Sequence, residues 1–192
     1  PLNNLNVRLA IAKSLNREFI SEKVSYGLRQ PSRSLVPPIY KKNKKELWPK
    51  YDPLEAKELL QNEGYCNGNV LDFPLTYRSN VPADKLIALS WQEQIKNILN
   101  ECINIQLNGV ESTTIYKNLN LGIYTAVILD WTGAYSDPEA YLTPLLSCSE
   151  IDGKNCKKGE SVYSGSFWGS NKVEDLFLDS ENLNGKERLE KL

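Results

Sequence analysis

The sequence contains no histidine among its 192 residues. Histidine is the commonest general base, the usual partner of a nucleophilic side chain and the commonest metal ligand, so its absence argues against an enzyme. The patterns G-x-S-x-G, G-x-G-x-x-G and G-x-x-x-x-G-K-S/T are missing too, which leaves a hydrolase elbow, a dinucleotide site and a phosphate loop without support. The sequence therefore predicts no catalytic site, no cofactor and no metal.

Long apolar runs and a basic excess are also missing. No run approaches the roughly 20 residues that span a bilayer, and the longest candidate, residues 124–129, has the length of a buried strand. A net charge of -1 gives no field that would steer the chain onto nucleic acid. The basic cluster KKNKK at residues 41–45 is better interpreted as a solvated turn than as a binding patch. We expect no nucleic-acid partner.

The start of the chain has no charged residue followed by an apolar stretch, so no export signal is present. The chain opens without Met and closes on a helical pattern, ERLEKL, that has no stop signal. Both ends suggest a truncated longer protein, and in a truncated protein the missing signal carries no information.

What is present is the composition of a folded chain, and its first third is predicted to be helical. With 41% hydrophobic residues, the chain can bury one core and one compact domain is the default expectation. Apolar residues recur at helical spacing near the start: Leu5, Leu9, Ala10, Ile11, Ala12 and Leu15. Asn16 is a predicted N-cap of a second helix that ends at Gly27, and Asp52-Pro53 predicts a third that ends before Gly64.

The middle of the sequence alternates between strand and helix patterns. Strands are predicted over residues 73–78, 103–110 and 123–129, and helices over residues 84–102 and 111–120. The last strand is apolar on both faces, as expected at the centre of a sheet covered by helices. The βαβαβ order predicts an α/β fold with a parallel core.

The last third has a different character. Asp137-Pro138 predicts a helix through residue 146, and helical spacing returns over residues 172–178 and 186–192. Between them, residues 147–171 are rich in Gly, Ser and Lys and predict a long loop.

Four cysteines, Cys66, Cys102, Cys148 and Cys156, lack the C-x-x-C spacing of a zinc or redox site. Cys148 and Cys156 flank a polar turn segment, and we predict a local disulfide between them. The alternative is a pair of free thiols in a cytosolic loop, since spacing alone does not establish a bridge. Cys66 and Cys102 are either neighbours or simply buried small hydrophobes.

The segment that follows the third strand is the best candidate binding site, because ligands of open α/β sheets bind beyond the carboxyl ends of the strands. Trp131 and Tyr135 supply flat apolar area with a polar handle, and Gly133 lets another group approach closely. Trp131 and Tyr141 also fit an alternative in which both are core aromatics. For Asp137, an N-cap role is favoured over a ligand contact.

Four stretches resemble, in the same order, motifs of the bacterial extracellular solute-binding proteins that feed peptide, nickel and related ABC importers. They are NVRLAIA to NRE at residues 6–18, SLVPP at residues 34–38, YDPLEAKELL to GY at residues 51–65, and residues 131–142, which resemble G-W-x-A-D-Y-x-D-P-x-x-F/Y-L. The resemblance covers nearly the whole chain, and its third and fourth motifs are specific.

The resemblance implies that residues 1–192 are most of the C-terminal ligand-binding lobe of a two-lobed, type II-like periplasmic binding protein. Such a lobe has a mixed, mostly parallel sheet flanked by helices. The solute would be enclosed between lobes that close like a clamp and would be delivered to ABC permease subunits in the membrane. Export to the periplasm or the cell exterior is implied as well, which fits the expected disulfide, and a lipid anchor on the missing N-terminus is left open.

The chain departs from the family pattern at the solute anchors. Peptide-binding members place an Asp three residues after the Trp, where this chain has Ala134, and an Arg of some relatives would fall near Ile128. Asp130 is one substitute for that Asp, although alternation along the strand would point it away from Trp131. Because buried charge must be paired, we expect a solute that is less zwitterionic, longer, or held mainly by backbone and shape. A His-ligated nickel complex is disfavoured.

The sequence therefore predicts capture of a peptide-like or other small solute, without catalysis. One wall of the cleft would be formed by Trp131, Thr132, Gly133, Ala134 and Tyr135. The alternative is a transport-inactive interaction or signalling module on the same fold, which presents the 147–171 loop to a protein partner.

Overall fold

A computed structural model describes residues 1–40 and 47–191, which form two compact units. The first unit comprises residues 1–33, 47–115 and 124–129, and the second comprises residues 34–40, 116–123 and 130–191. The solvated turn expected at residues 41–45 lies outside the described residues. The expectation that residues 1–192 form a single lobe stays a prediction.

The helices of the first unit begin where the sequence places their caps. The first three are α1 (Leu5–Lys13), α2 (Arg17–Phe19), which continues as a π-helical turn (Ile20–Val24), and α3 (Pro53–Asn62). The Asn16 side chain accepts a hydrogen bond from the Phe19 N–H at 2.8 Å, and Asp52 accepts one from the Glu55 N–H at 2.9 Å. Both predicted N-caps are confirmed, because each satisfies a donor that the first helical turn leaves open.

The buried face of α1 differs from the expected stripe. Val7, Ala10 and Ile11 are buried, whereas Leu5 is 58% exposed. The buried positions still follow an i, i+3, i+4 spacing, so the helix is amphipathic but rotated relative to the expectation. The sequence pattern was ambiguous because apolar residues occupy most sides of this helix.

The sheet of the first unit is parallel, as predicted. It contains β1 (Leu71–Arg78), β2 (Ile103–Val110) and β3 (Ala126–Ile128), joined through α4 (Pro82–Ile98) and α5 (Ser112–Asn118). Both β2 and β3 pair with β1 in parallel, so that Leu75 lies opposite Leu107 on one side and Ala126 on the other.

The largest differences from the expectation concern β3 and the end of α4. Within the described residues the middle strand is β1, and β3 is a three-residue strand paired only with β1, not the long central strand expected over residues 123–129. Helix α4 ends at Ile98 and not at residue 102, because Asn100 and Glu101 form a turn into β2. That turn delivers Cys102 to a disulfide with Cys66.

The core of the first unit is formed by the sheet, α1, α3 and α4. Its largest fully buried members include Val7, Leu60, Leu71, Leu75, Leu99 and Ile103. Trp91 of α4 is 9% exposed; its ring packs edge-on against Phe73 with centroids 5.5 Å apart, and its indole N–H donates to the Ser14 hydroxyl at 3.0 Å. Trp91 thus has the burial and the paired N–H of a core tryptophan.

The second unit carries the remaining elements. They are a 3-10 turn (Leu119–Leu121), α6 (Glu139–Leu146), β4 (Glu150–Asp152), β5 (Asn155–Lys158), α7 (Glu160–Tyr163), α8 (Asn171–Glu181) and α9 (Gly185–Lys191).

The long loop expected over residues 147–171 is not observed. The antiparallel hairpin β4–β5 and helix α7 lie within it, and a disulfide joins Cys148 to Cys156 across the hairpin, as the sequence predicts. A Cβ on Gly159 would lie 2.8 Å from the Cα of Cys148, so the glycine permits this close packing. The Gly and Ser residues that suggest a loop instead allow tight turns around a small hairpin.

Candidate functional site

The five predicted site residues lie consecutively between β3 and α6. Trp131, Thr132, Ala134 and Tyr135 are exposed, and Gly133 is partly buried. The segment thus leaves two aromatic rings, a hydroxyl and a methyl group accessible.

Trp131 is held in place although its ring is exposed. Its indole N–H donates to the backbone carbonyl of Ala140 at 2.8 Å, and Ala140 is a buried residue in the first turn of α6. The side chain remains 54% exposed, against 9% for Trp91. The alternative that Trp131 is a core aromatic is therefore wrong for this chain, and its ring can take part in an intermolecular contact.

Gly133 permits the close packing of the segment on an aromatic ring. Gly133 does not have a positive φ, so its role does not depend on the conformational freedom of glycine. A Cβ at this position would lie 2.7 Å from Cε2 of Tyr141, and the Tyr141 ring in turn lies 6.0 Å from that of Tyr40. The group that approaches Gly133 is therefore the protein's own Tyr141.

Tyr135 lies beside two carboxylates. Burial raises the pKa of its phenol above the ordinary value, and the negative charges of Glu139 and Asp137 raise this pKa further, while the Arg188 guanidinium lowers it. At neutral pH, Tyr135 presents a neutral hydroxyl and an apolar ring.

The sequence predicts Asp137 as the N-cap of α6, but the N-cap position is Pro138 and Asp137 lies directly before it. Its Oδ1 accepts a hydrogen bond from the Glu139 N–H at 2.9 Å. Arg188 of α9 also binds this carboxylate, with Nε 3.2 Å from Oδ2. Both roles are structural, so Asp137 is committed to contacts within the second unit.

Asp130, the suggested substitute for the missing aspartate, has a partner within the second unit. The hydroxyl of Tyr116 donates to its Oδ1 at 3.1 Å. Asp130 is exposed and lies directly before Trp131 in the chain.

Sequence reasoning missed Arg188. The guanidinium binds Asp137, Glu139 and the backbone carbonyl of Ser180, although it lies 51 residues beyond Asp137. The spacing of residues 186–192 predicts a helix but gives no sign of which carboxylates its arginine meets. The sequence contains two signals of this contact. They are the pair of acidic residues shortly after Tyr135 and an arginine, Arg188, with no assigned role.

A groove lies in the first unit. It is an apolar groove of about 350 Å³, lined mainly by the π-helical turn and the residues that follow it, with Arg17 and Arg29 as its charged members. None of residues 131–135 lines it. Over residues 1–40 and 47–191 the structure contains no helix long and apolar enough to cross a membrane, and no cluster of three or more potential metal ligands.

The fold is that of the periplasmic peptide-binding proteins. A crystal structure of a periplasmic oligopeptide-binding protein from Borrelia burgdorferi superposes with a TM-score of 0.81 at 26% identity, and the match covers 100% of this chain and 36% of that one. The α/β architecture with a parallel sheet flanked by helices is thereby confirmed.

The sequence comparison identifies the family. The profile of the bacterial extracellular solute-binding proteins, family 5, middle region, matches residues 1–153, and the chain belongs to this family.

Two curated relatives show how far the similarity extends. Heme-binding protein A of Haemophilus influenzae is 32% identical over 161 residues, covering 81% of this chain and 28% of that protein. Di/tripeptide-binding protein 3 of Pseudomonas aeruginosa is 28% identical over 188 residues, covering 94% of this chain and 34% of that protein. The chain thus spans about a third of the length of the relatives it matches.

Proposed function

We propose that this chain is part of the solute-binding component of an ABC importer. The whole protein captures a peptide-like or other small solute between two lobes and delivers it to a membrane permease, without catalysis. The observation that carries this proposal is Trp131, whose N–H is bound to Ala140 while its side chain is 54% exposed. An aromatic ring that is already fixed loses little rotamer entropy when a solute packs on it.

The chemistry of the wall supports a solute held mainly by packing and backbone contacts. Ala134 contributes a methyl group where the family pattern has an aspartate, and the nearby carboxylates of Asp130 and Asp137 have partners within the chain. A solute ammonium group that bound either carboxylate would share it with the Tyr116 hydroxyl or the Arg188 guanidinium. The relatives are named for heme, dipeptides and tripeptides, so the fold accommodates solutes of very different charge.

We propose an extracellular or periplasmic location. The family is extracellular, and the four cysteines form two disulfides, Cys66–Cys102 and Cys148–Cys156. Disulfides form and persist in oxidising compartments. The alternative role as a transport-inactive module has lost its main support, because residues 147–171 form a disulfide-linked hairpin and a helix and not an extended loop.

The test is a thermal-shift screen of the full-length protein against peptides of two to five residues, heme, sugars and metal chelates. A solute that binds only the folded protein raises its melting temperature as the solute concentration rises. Trp131→Ala should weaken the binding of the solute found by about tenfold or more, the effect expected of an aromatic anchor.

Tyr163→Ala is the matched control. Tyr163 is also an exposed aromatic residue of the second unit, at 63% exposure, and lies in α7 outside the proposed wall. Its truncation should leave the affinity unchanged. If no solute of any class stabilises the protein, or if both variants bind as the wild type does, the proposed wall is wrong.

A further inference from the structure

Arg188 makes an unusual set of contacts for a residue near the end of the described chain. Its guanidinium donates to the Ser180 carbonyl at 2.6 Å, to the Ser180 hydroxyl at 3.2 Å and to both carboxylate oxygens of Asp137 at 3.2 and 3.4 Å. It also donates to Oε2 of Glu139. With its side chain only 17% exposed, Arg188 uses the forked geometry that lets arginine bridge several acceptors at once.

The other ion pairs of α9 differ in kind. Lys186 pairs with Glu190 within the same helix, and Lys191 pairs with Asp179 of α8. In each of these pairs at least one partner is 60% exposed or more, a setting in which an ion pair contributes little stability. Arg188 alone among these three cations reaches the segment before α6.

The contacts of Arg188 lead directly to Trp131. Asp137 caps the Glu139 N–H, and its own carbonyl accepts from the Ala140 N–H at 3.1 Å. The Ala140 carbonyl is the acceptor for the Trp131 indole. The guanidinium therefore fixes the first turn of α6, and that turn fixes the ring.

The charges at the start of α6 also indicate that Arg188 constrains its first turn. Asp137 and Glu139 bring two negative charges together at the start of α6, and Arg188 is the cation that binds both. Without it the two carboxylates repel each other beside Tyr135, and the geometry of the first turn loses its constraint. The hydrogen bond to the Asp137 carboxylate also raises the pKa of Arg188.

We propose that Arg188 is a positioning residue: from α9 it holds the first turn of α6, and through it the Trp131–Tyr135 wall, in the conformation that receives the solute. The inference rests on the proposed function for the role of the wall. The positioning itself is a property of the chain and is measurable without any solute.

The experiment uses full-length protein labelled with fluorotryptophan, in which fluorine NMR reports the environment of each indole. The Trp131 resonance is the one lost in Trp131→Phe. Arg188→Gln should shift or broaden this resonance and leave the Trp91 resonance in place, and Arg188→Lys, which keeps the charge but not the fork, should restore it in part. A Trp131 resonance that is unchanged in Arg188→Gln overturns the proposal.

Lys191→Gln is the matched control, because it removes an ion pair of α9 that does not touch Asp137. A Trp131 resonance that moves equally in both variants would show a general loosening of α9 and would also overturn the proposal. If Arg188→Gln does not fold, Asp137→Asn takes its place, since the asparagine side-chain oxygen can still accept from the Glu139 N–H while the ion pair with Arg188 is weakened. The Trp131 resonance should shift in this variant too, and its failure to do so counts against the proposal.

Binding is measured separately with trialanine as the probe. Arg188→Gln should weaken its affinity about tenfold, while Lys191→Gln should leave it unchanged. If wild-type protein does not bind trialanine, short free peptides of this kind are excluded as its solute, whereas the NMR result still decides the role of Arg188.

Discussion

Two tryptophans of this chain show how the same residue type serves two purposes. Both have a paired indole N–H, Trp91 with the Ser14 hydroxyl and Trp131 with the Ala140 carbonyl, yet only Trp91 is buried. The sequence motif alone is enough to single out Trp131 as a candidate site residue. Its fixed orientation could not be predicted, because it depends on a contact with α6 that is supported by an arginine far along the chain.

The titration of Tyr135 tests the electrostatics of the wall. Burial, then the charges of Glu139 and Asp137, raise the pKa of its phenol above 10.0. We expect the ultraviolet titration of wild type minus Tyr135→Phe to show ionisation above that value. Glu139→Gln removes a negative charge and should lower the Tyr135 pKa, whereas Arg188→Gln removes the cation that favours phenolate and should raise it.

Glu187→Gln is the control for this titration, because Glu187 is an exposed carboxylate of α9 that does not act on Tyr135. A Tyr135 that ionises below 10.0, or a shift in Glu187→Gln as large as that in Glu139→Gln, would contradict the arrangement described.

At the level of elements, local signals predicted most of the fold. The caps at Asn16 and Asp52, the full extent of β2 and the βαβαβ order follow from side-chain chemistry and periodicity within a few residues. The position of β3 depended instead on which strands pair, and apolar residues on both faces do not distinguish a central strand from a short one beside it. The β4–β5 hairpin was missed because its strands are three and four residues long and polar.

The two disulfides should differ in their contribution to stability. Cys66–Cys102 closes a loop with a sequence separation of 36, and Cys148–Cys156 one with a separation of 8. In the chain-entropy description, the first contributes about 4 kcal/mol and the second about 2.5 kcal/mol. Urea unfolding of the two double Cys→Ser variants should rank them in this order, and the reverse order would show that native-state contacts outweigh the effect on the unfolded chain.

At the scale of the whole molecule, the chain supplies about a third of what its relatives contain. The order of four motifs was enough to predict the family, because the spacing of caps, turns and aromatic residues is carried by the sequence itself. The solute could not be predicted in the same way, because the proposed cleft would lie between two lobes and so have two walls. Only the residues of one proposed wall, and the way in which they are held, belong to this chain.

The exposed methyl of Ala134 allows the proposed solute preference to be changed without a change in the stability of the fold. Because the residue is exposed, substituting it should change the free energy of unfolding by no more than about 0.5 kcal/mol. In the proposed wall, any group placed there would face the solute. Ala134→Asp should therefore increase affinity for a free tripeptide over its N-acetylated form, and Ala134→Asn, with the same shape but no charge, should not. Equal binding of both peptides by Ala134→Asp would contradict this. On the proposed function, a single substitution at position 134 would therefore change which solutes are bound and leave the fold intact.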